Sequence, residues 1–343
     1  MANYYIKRVA HSFMVLLMTI TVSFGMFRLL PFGPYEMLEQ KYTQQILEGG
    51  GEITPRMQER IDQRVQSVTA VDPDLPLWEQ YIQYMSNVLF HQDLGTSIAH
   101  NQPVFELMLT RMQWSIFVSV YGLAIGITAA LILGAVMAYN EGSRLDQFLT
   151  YFTVTNETIP GYVVAIILLI VLAYNLSWFP TGGLQDPYTT PGFNLPYMIG
   201  VVEHGTLMVA SAVIAGFGGG LDFRGNCIRE LGKDYIRVAH LRGLSDARIA
   251  IRYVGRNSIL PIYTGLMLSF GAIISSSVIL EWIFNYPAMG TLLLDATFNR
   301  DYPLMMGSLI IFTALTVTGL LIADLTYGII DPRVQGGSER ESF

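Results

Sequence analysis

The sequence predicts an all-α integral membrane protein: six transmembrane helices, a helix-turn-helix on the cytoplasmic side and a small helical external subdomain. Three observations carry this. Of the 343 residues 52% are hydrophobic and only 14% charged, with a mean hydropathy of +0.41, whereas soluble domains carry about 25% charged residues. The apolar residues gather in runs near the length that a spanning helix needs, about 20 residues. Between two of those runs lies an ordered, basic, polar insert.

The spans follow in order. The first covers about 9–30, after Lys7 and Arg8. Its apolar run exceeds the core of a signal peptide and no small-x-small cleavage site follows, so it reads as a retained helix ending near Arg28-Leu29-Leu30-Pro31. The stretches 115–138, 158–179, 259–280 and 302–323 contain no Asp, Glu, Lys or Arg. A sixth, 205–221, is shorter and ends in Gly218-Gly219-Gly220. A short, glycine-interrupted span is one pointer to a substrate path; a tilted helix packed closely through small residues is the other reading. Glu203-His204 falls at the expected outer end of that span, either as an interfacial polar pair or as a metal site.

The Lys and Arg distribution sets the orientation. With the N-terminus inside, inner segments hold 13 of these residues and outer segments 7. Six spans place both termini in the cytoplasm of a cell-membrane (plasma or inner membrane) protein. The loop 31–114 is then external and rich in acids. Gly49-Gly50-Gly51 divides it, Thr54-Pro55 caps a helix, and 78–90 has apolar residues at helical spacing. The tail 334–343, with Gly336, Gly337 and Ser338 before it ends, reads as disordered.

The insert, 224–258, parses into two helices. One runs from about Asn226 to Arg242, and Gly243 stands where a left-handed residue ends a helix, with Leu244 as the apolar residue that follows. Ser245 caps the second helix and Asp246 adds a favourable charge to its first turn. Arg248, Arg252 and Arg256 share one face, where like charges repel unless they meet lipid phosphates or an acidic partner. From physics alone two readings stand: a solvated loop obeying the positive-inside rule, and a docking surface.

Here the residues resemble a family. Asp234, Tyr235, Arg237, Ala239, Gly243 and Leu244, then Arg252, Tyr253, Arg256, Asn257, Leu260 and Pro261, resemble the coupling loop of permease subunits of ABC importers, in the oligopeptide/dipeptide branch and of the first of its two permease types. Similar too are Asp93-Leu94-Gly95-Thr96-Ser97, Glu281 to Pro287, Asn299-Arg300-Asp301-Tyr302-Pro303 and Asp331-Pro332-Arg333. Phe32-Gly33-Pro34 departs from the family pattern, and the segment 36–70 is longer than that pattern expects. The resemblance covers nearly the whole chain, with 115–333 as the importer transmembrane domain.

The resemblance implies a mechanism. The insert would sit in a groove on a cytoplasmic ATPase, with Asp234, Tyr235, Arg237, Ala239, His240, Arg242, Gly243 and Leu244 forming the coupling region. The implied partners are a second, homologous permease, two ATPase subunits, an external substrate-binding protein and membrane lipid, with no nucleic acid. Peptides are the default cargo; oligosaccharides and nickel chelates are carried by related branches. An ATP-independent carrier or channel, whose basic loop only orients it, is the alternative from another class.

The chain itself shows no catalytic grouping. It has no G-x-x-x-x-G-K-[ST], no H-E-x-x-H and no G-x-S-x-G, so ATP and Mg are expected on the partner ATPases and no cofactor or metal on this chain. A single cysteine, Cys227, excludes an internal disulfide framework. Glu281 and Asp324 lie at span ends, where ionisable groups are costly and are structural or translocation candidates.

Overall fold

The computed structural model describes residues 2–28, 34–69, 75–216, 219–259, 262 and 278–330. Among them every extended element is a helix, and the one β-bridge joins Thr96 to Pro103. Four helical stretches are long and apolar enough to cross a membrane: Ile6–Met26, Val104–Tyr139, Leu195–Ala215 and Tyr302–Ile322. A bent pair, Arg144–Thr158 with Gly161–Asn175, makes a fifth if it is one crossing. The expected span 259–280 lies almost entirely outside the described residues, as do Asp331-Pro332-Arg333 and the tail.

The chain divides into two compact units, residues 1–113 with 288–343, and residues 114–287. The first unit contains α1 (Ala2–Arg28), α2 (Pro34–Glu48), α3 (Pro55–Thr69), α4 (Leu77–Ser86), the opening turns of α5 (Val104–Tyr139), α13 (Met289–Phe298) and α14 (Tyr302–Ile330). The glycine run that the sequence marks as a break ends α2, with Gly50 at φ +76°. Helix α3 opens at Pro55, and the Thr54 carbonyl accepts from Met57 and Gln58. Leu38, Ile61, Val65 and Val68 bury one face of α2 against α3, so this segment closes a small core of its own.

A larger core joins Ile20 of α1, Tyr84 of α4, Val104 and Met108 of α5, Leu292 of α13 and Leu304 of α14. Two of the family-like segments, about 200 residues apart, meet here through one carboxylate. Asp301 is fully buried. It accepts from the Ser97 hydroxyl at 2.6 Å, from the Ala99 N–H at 2.9 Å and from the Leu304 N–H at 3.3 Å. Gly95, at φ +83°, is required at this corner, because a Cβ there would lie 2.6 Å from the Val68 carbonyl oxygen.

The second unit holds the rest of α5, α6 (Arg144–Thr158), α7 (Gly161–Leu168) with a π-helical continuation Leu169–Asn175, α8 (Leu195–Ala215), α9 (Gly219–Leu231), α10 (Asp234–Leu241), α11 (Asp246–Ile249) with a π-turn Ala250–Gly255, and α12 (Val278–Ile283). Helix α5 has 36 residues; at 1.5 Å per residue it is about 54 Å long, more than the roughly 30 Å hydrocarbon layer. The opening turns with Glu106 and Arg111 therefore extend beyond the apolar core of the membrane.

Two expectations are corrected in this unit. The short span at 205–221 is instead α8, 21 residues long, opened by Asn194, whose side chain accepts from the Tyr197 N–H, and closed at Gly216. The uncharged run begins only after Glu203 and His204, so it leaves out the first half of the helix. Gly219 and Gly220 open α9, so they no longer mark an interrupted span. Glu203-His204 then falls within α8 and not at its outer end.

The carboxylate at Asp301 yields a prediction. Asp301→Ala leaves three donors without this acceptor, and two of them, Ser97 and Leu304, are buried, each worth about 1–3 kcal/mol. The expected result is a loss of about 3 kcal/mol or more of stability and faster proteolytic cleavage between 93 and 103, read by thermal melting and limited proteolysis in detergent. Unchanged cleavage would mean that the corner holds without this tie.

Candidate functional site

The site is the polar insert, and its base is set by glycine. A Cβ on Gly134 of α5 would lie 2.5 Å from the Gly220 carbonyl oxygen and 2.8 Å from the Phe223 Cβ. Only glycine lets α9 lie this close to α5. Ala138 of α5 then joins Phe223 and Cys227 of α9, Ile236 and Ala239 of α10, Ile249 of α11 and Val254 in one buried cluster. The insert is therefore a packed body and not a solvated loop.

The single helix expected from Asn226 to Arg242 is two. Helix α9 ends at Leu231, Gly232-Lys233 break it, and α10 restarts at Asp234. The sequence pattern hid the break, because apolar residues keep helical spacing on both sides. Gly243 ends α10 at φ +70°. Its N–H donates to His240 O at 2.9 Å and the Leu244 N–H donates to Ala239 O at 3.3 Å, the paired bonds of a Schellman turn. Leu244 packs on the buried cluster. Space around Gly243 is open, so its requirement is conformational.

The two halves of the family-like motif meet at Tyr235. Its hydroxyl donates to Glu230 and accepts from Asn257 Nδ2 at 2.9 Å, its ring stacks on Tyr253 with centroids 6.5 Å apart, and Lys233 closes on Glu230 from the other side. Burial pushes the Tyr235 hydroxyl above its ordinary range, and the Glu230 carboxylate pushes it further. Glu230 itself is opposed by burial, yet Lys233 and Tyr235 hold it below the usual carboxylate range. This cluster fixes α9, α10 and the π-turn to one another.

A second tie anchors the body. Arg224 of α9 binds Asp146 of α6 with both nitrogens at 2.7 Å. Asp146 is 3% exposed and also accepts from the Gly142 N–H at 2.9 Å. Ser143 caps α6 by accepting from the Asp146 N–H. The Arg224 guanidinium holds the Asp146 carboxyl below the usual range against the effect of burial. The Ser143-x-x-Asp146 spacing before an apolar helix is a capping pattern and was the available signal for this helix start.

The candidate residues divide by direction. Ala239 faces the core, with Ile236. Asp234, Arg237, His240 and Arg242 are exposed, as are Arg248, Arg252 and Arg256. Among them stand two apolar side chains that the motif reading did not single out, Val238 at 45% and Leu241 at 81% exposure. Glu281 is fully buried in α12 and accepts from the Ser115 hydroxyl at 3.4 Å, which places it in packing within this unit. Asp324 lies in the backbone of α14, and its side chain is outside the described residues.

Beside this body, a crevice of about 690 Å³ runs between α5 and the α8–α9 junction. Its walls are small residues, Gly122, Gly126 and Ala212 among them, and Asp222, Asn226 and Arg229 give it a polar end.

The pair at Asp146 yields a pH prediction. The folded-state carboxyl is depressed, so its contribution is present above the ordinary carboxylate pKa, about 3.9, and is lost as pH falls through the lowered value. Asp146→Asn is expected to cost about 2 kcal/mol at pH 6–8, with the gap to wild type closing only below about pH 4. A gap that instead closes near neutral pH in thermal melts would contradict the assignment.

Residues 130–336 match the family model described as the binding-protein-dependent transport system inner membrane component. The oligopeptide transport system permease protein AppB of Bacillus subtilis is 31% identical over 98% of this chain and 100% of its own length. The oligopeptide transport system permease protein OppB of Haemophilus influenzae is likewise 31% identical over 98% of this chain and 100% of its own. The dipeptide transport system permease protein DppB of Lactococcus lactis is 26% identical over the same shares, 98% and 100%. With a packed polar insert between apolar helices and a match over more than half its length, this chain belongs to the multi-pass membrane permeases of the ABC importer family.

Proposed function

We propose that this chain is one of two permease subunits of an ATP-driven peptide importer, and that the insert 224–258 receives the work of ATP hydrolysis from cytoplasmic ATPase subunits. The observation that carries the reading is the outer surface of α10. Leu241 and Val238 stand exposed on it, flanked by Arg237 and Arg242, on a body locked by the Tyr235 cluster and the Asp146–Arg224 pair. An exposed apolar pair rimmed by arginines suits a protein groove better than solvent, which was the other reading of the insert.

The layout follows. Six crossings, the fifth at 259–280, put both termini in the cytoplasm, and the external part 31–114 faces the substrate-binding protein. ATP and Mg belong to the ATPases, and this chain carries no catalytic residue. Asp234, Tyr235, Ala239, Gly243 and Leu244 shape the lever, while Arg237, His240 and Arg242 meet the partner with Val238 and Leu241. The crevice between α5 and α8 is this subunit's share of the translocation path. Peptide is the cargo that the names of the curated relatives support; oligosaccharides or nickel chelates would be alternative outcomes of a transport assay.

Two substitutions test the reading. Leu241→Asp places a charge in the groove and is expected to lower co-purification of the ATPase at least tenfold, a loss of about 1.4 kcal/mol or more. Gly243→Val forces a β-branched residue into a left-handed conformation, a strain of about 1–3 kcal/mol, and is expected to uncouple ATP hydrolysis from uptake while the protein still inserts. Uptake that ignores ATP, with both variants active, would favour the ATP-independent carrier.

A further inference from the structure

We infer that Glu203, with the hydroxyls of Thr206 and Tyr121, forms a station for an ammonium group of the cargo on the wall of the translocation path. The inference rests on the permease reading above and names the charge that this subunit's path accepts.

Helix α8 has the length of a full crossing, 21 residues from Leu195 to Ala215. Glu203 is its single acid or base apart from His204 and lies about 12 Å along the helix from Leu195, at 1.5 Å per residue. It is exposed, and among the described residues it has no partner. A carboxylate at that depth is costly against lipid, so the face that carries it meets water or a cation. Its neighbour is differently placed: His204 Nδ1 lies 2.7 Å from Gly200 O, and its ring is near Gly183.

Other polar groups gather beside Glu203. Thr206 follows three residues on, so its side chain shares the Glu203 face. The Thr206 Oγ1 lies 3.5 Å from the Tyr121 hydroxyl of α5. Gly205 beside it packs on Phe117 of α5 at ordinary contact distance, so the two helices meet here. About two turns further along α8, Ala212 and Val213 line the crevice with Gly122 and Gly126 of α5. A carboxylate and two hydroxyls supply three acceptors, the number of N–H donors on an ammonium. An anionic group in a low-dielectric cleft also concentrates cations and repels anions.

The test does not require the cargo to be identified. In the assembled transporter, Cys227→Ser with Thr206→Cys is treated with a cationic methanethiosulfonate (ethyltrimethylammonium) and an anionic one (ethylsulfonate). The cationic reagent is expected to be favoured about tenfold beyond its intrinsic ratio on a free thiol, and Glu203→Gln is expected to abolish that preference. A ratio unmoved by Glu203→Gln, or no labelling in any nucleotide state, overturns the station. Glu203→Cys in the same background gives an independent reading of water access and must also react.

Uptake supplies the second arm. Glu203→Gln is expected to lower uptake of trialanine about tenfold while leaving N-acetyl-trialanine unchanged; N-acetyl-trilysine distinguishes a side-chain ammonium from a terminal one. Equal loss for the peptides with and without an ammonium group assigns Glu203 a structural role and overturns the proposal. Persistent charge preference without ATP-driven uptake in the wild type would instead overturn the importer reading and leave the station standing.

Discussion

The close approach of α5 to α8 and α9 is the constraint on which the rest of the second unit depends. Its tightest point is Gly134, where a Cβ would clash with the Gly220 carbonyl and with Phe223; Gly205, Gly126 and Gly219 stand at ordinary contact distance from Phe117, Val213 and Ala130. In lipid no hydrophobic force drives helices together, and contact distance decides how well they hold. Because α5 is one unbroken helix, its far end carries Leu131 and Ala138 into the core of the insert. The glycines that bring the spans together thereby also fix where the insert stands.

Polar ties complete what packing begins. Each joins segments that are distant in sequence: Asp146 to Arg224, Tyr235 to Asn257, Ser97 to Asp301. Groups withdrawn from water make stronger hydrogen bonds and tolerate fewer arrangements, so such ties specify geometry as well as adding stability. The Asp146–Arg224 pair holds α9 near its middle and the Tyr235 cluster holds it through Glu230 near its end, so the helix is tied at two points along its length.

Much of this architecture is legible in the sequence, and the reasons for the gaps are physical. Composition and uncharged runs reveal the long apolar helices, and Gly243-Leu244 announces the turn that closes α10. Helix α8 is half hidden, because Glu203 and His204 interrupt the uncharged run although they lie within a full-length helix. The break at Gly232-Lys233 is invisible because helical spacing continues across it. Ser97–Asp301 and Asp146–Arg224 cannot be paired from sequence, since nothing local in either partner points to the other. The direction of Ala239, inward, and of Leu241, outward, depends on packing that spacing alone does not supply.

The helical hairpin of α2 and α3 has a consequence of its own. Leu38, Ile61, Val65 and Val68 bury one another across α2 and α3, so most of what stabilises the hairpin is contained within it. Its described hydrogen bonds to the corner beneath are few, chiefly Val68 O to Thr96 N at 3.0 Å, with Arg64 reaching Asn101 at 3.1 Å. An element built this way behaves as a cassette. A substitution in its core is then felt first within α2 and α3, while the corner held by Asp301 keeps ties of its own.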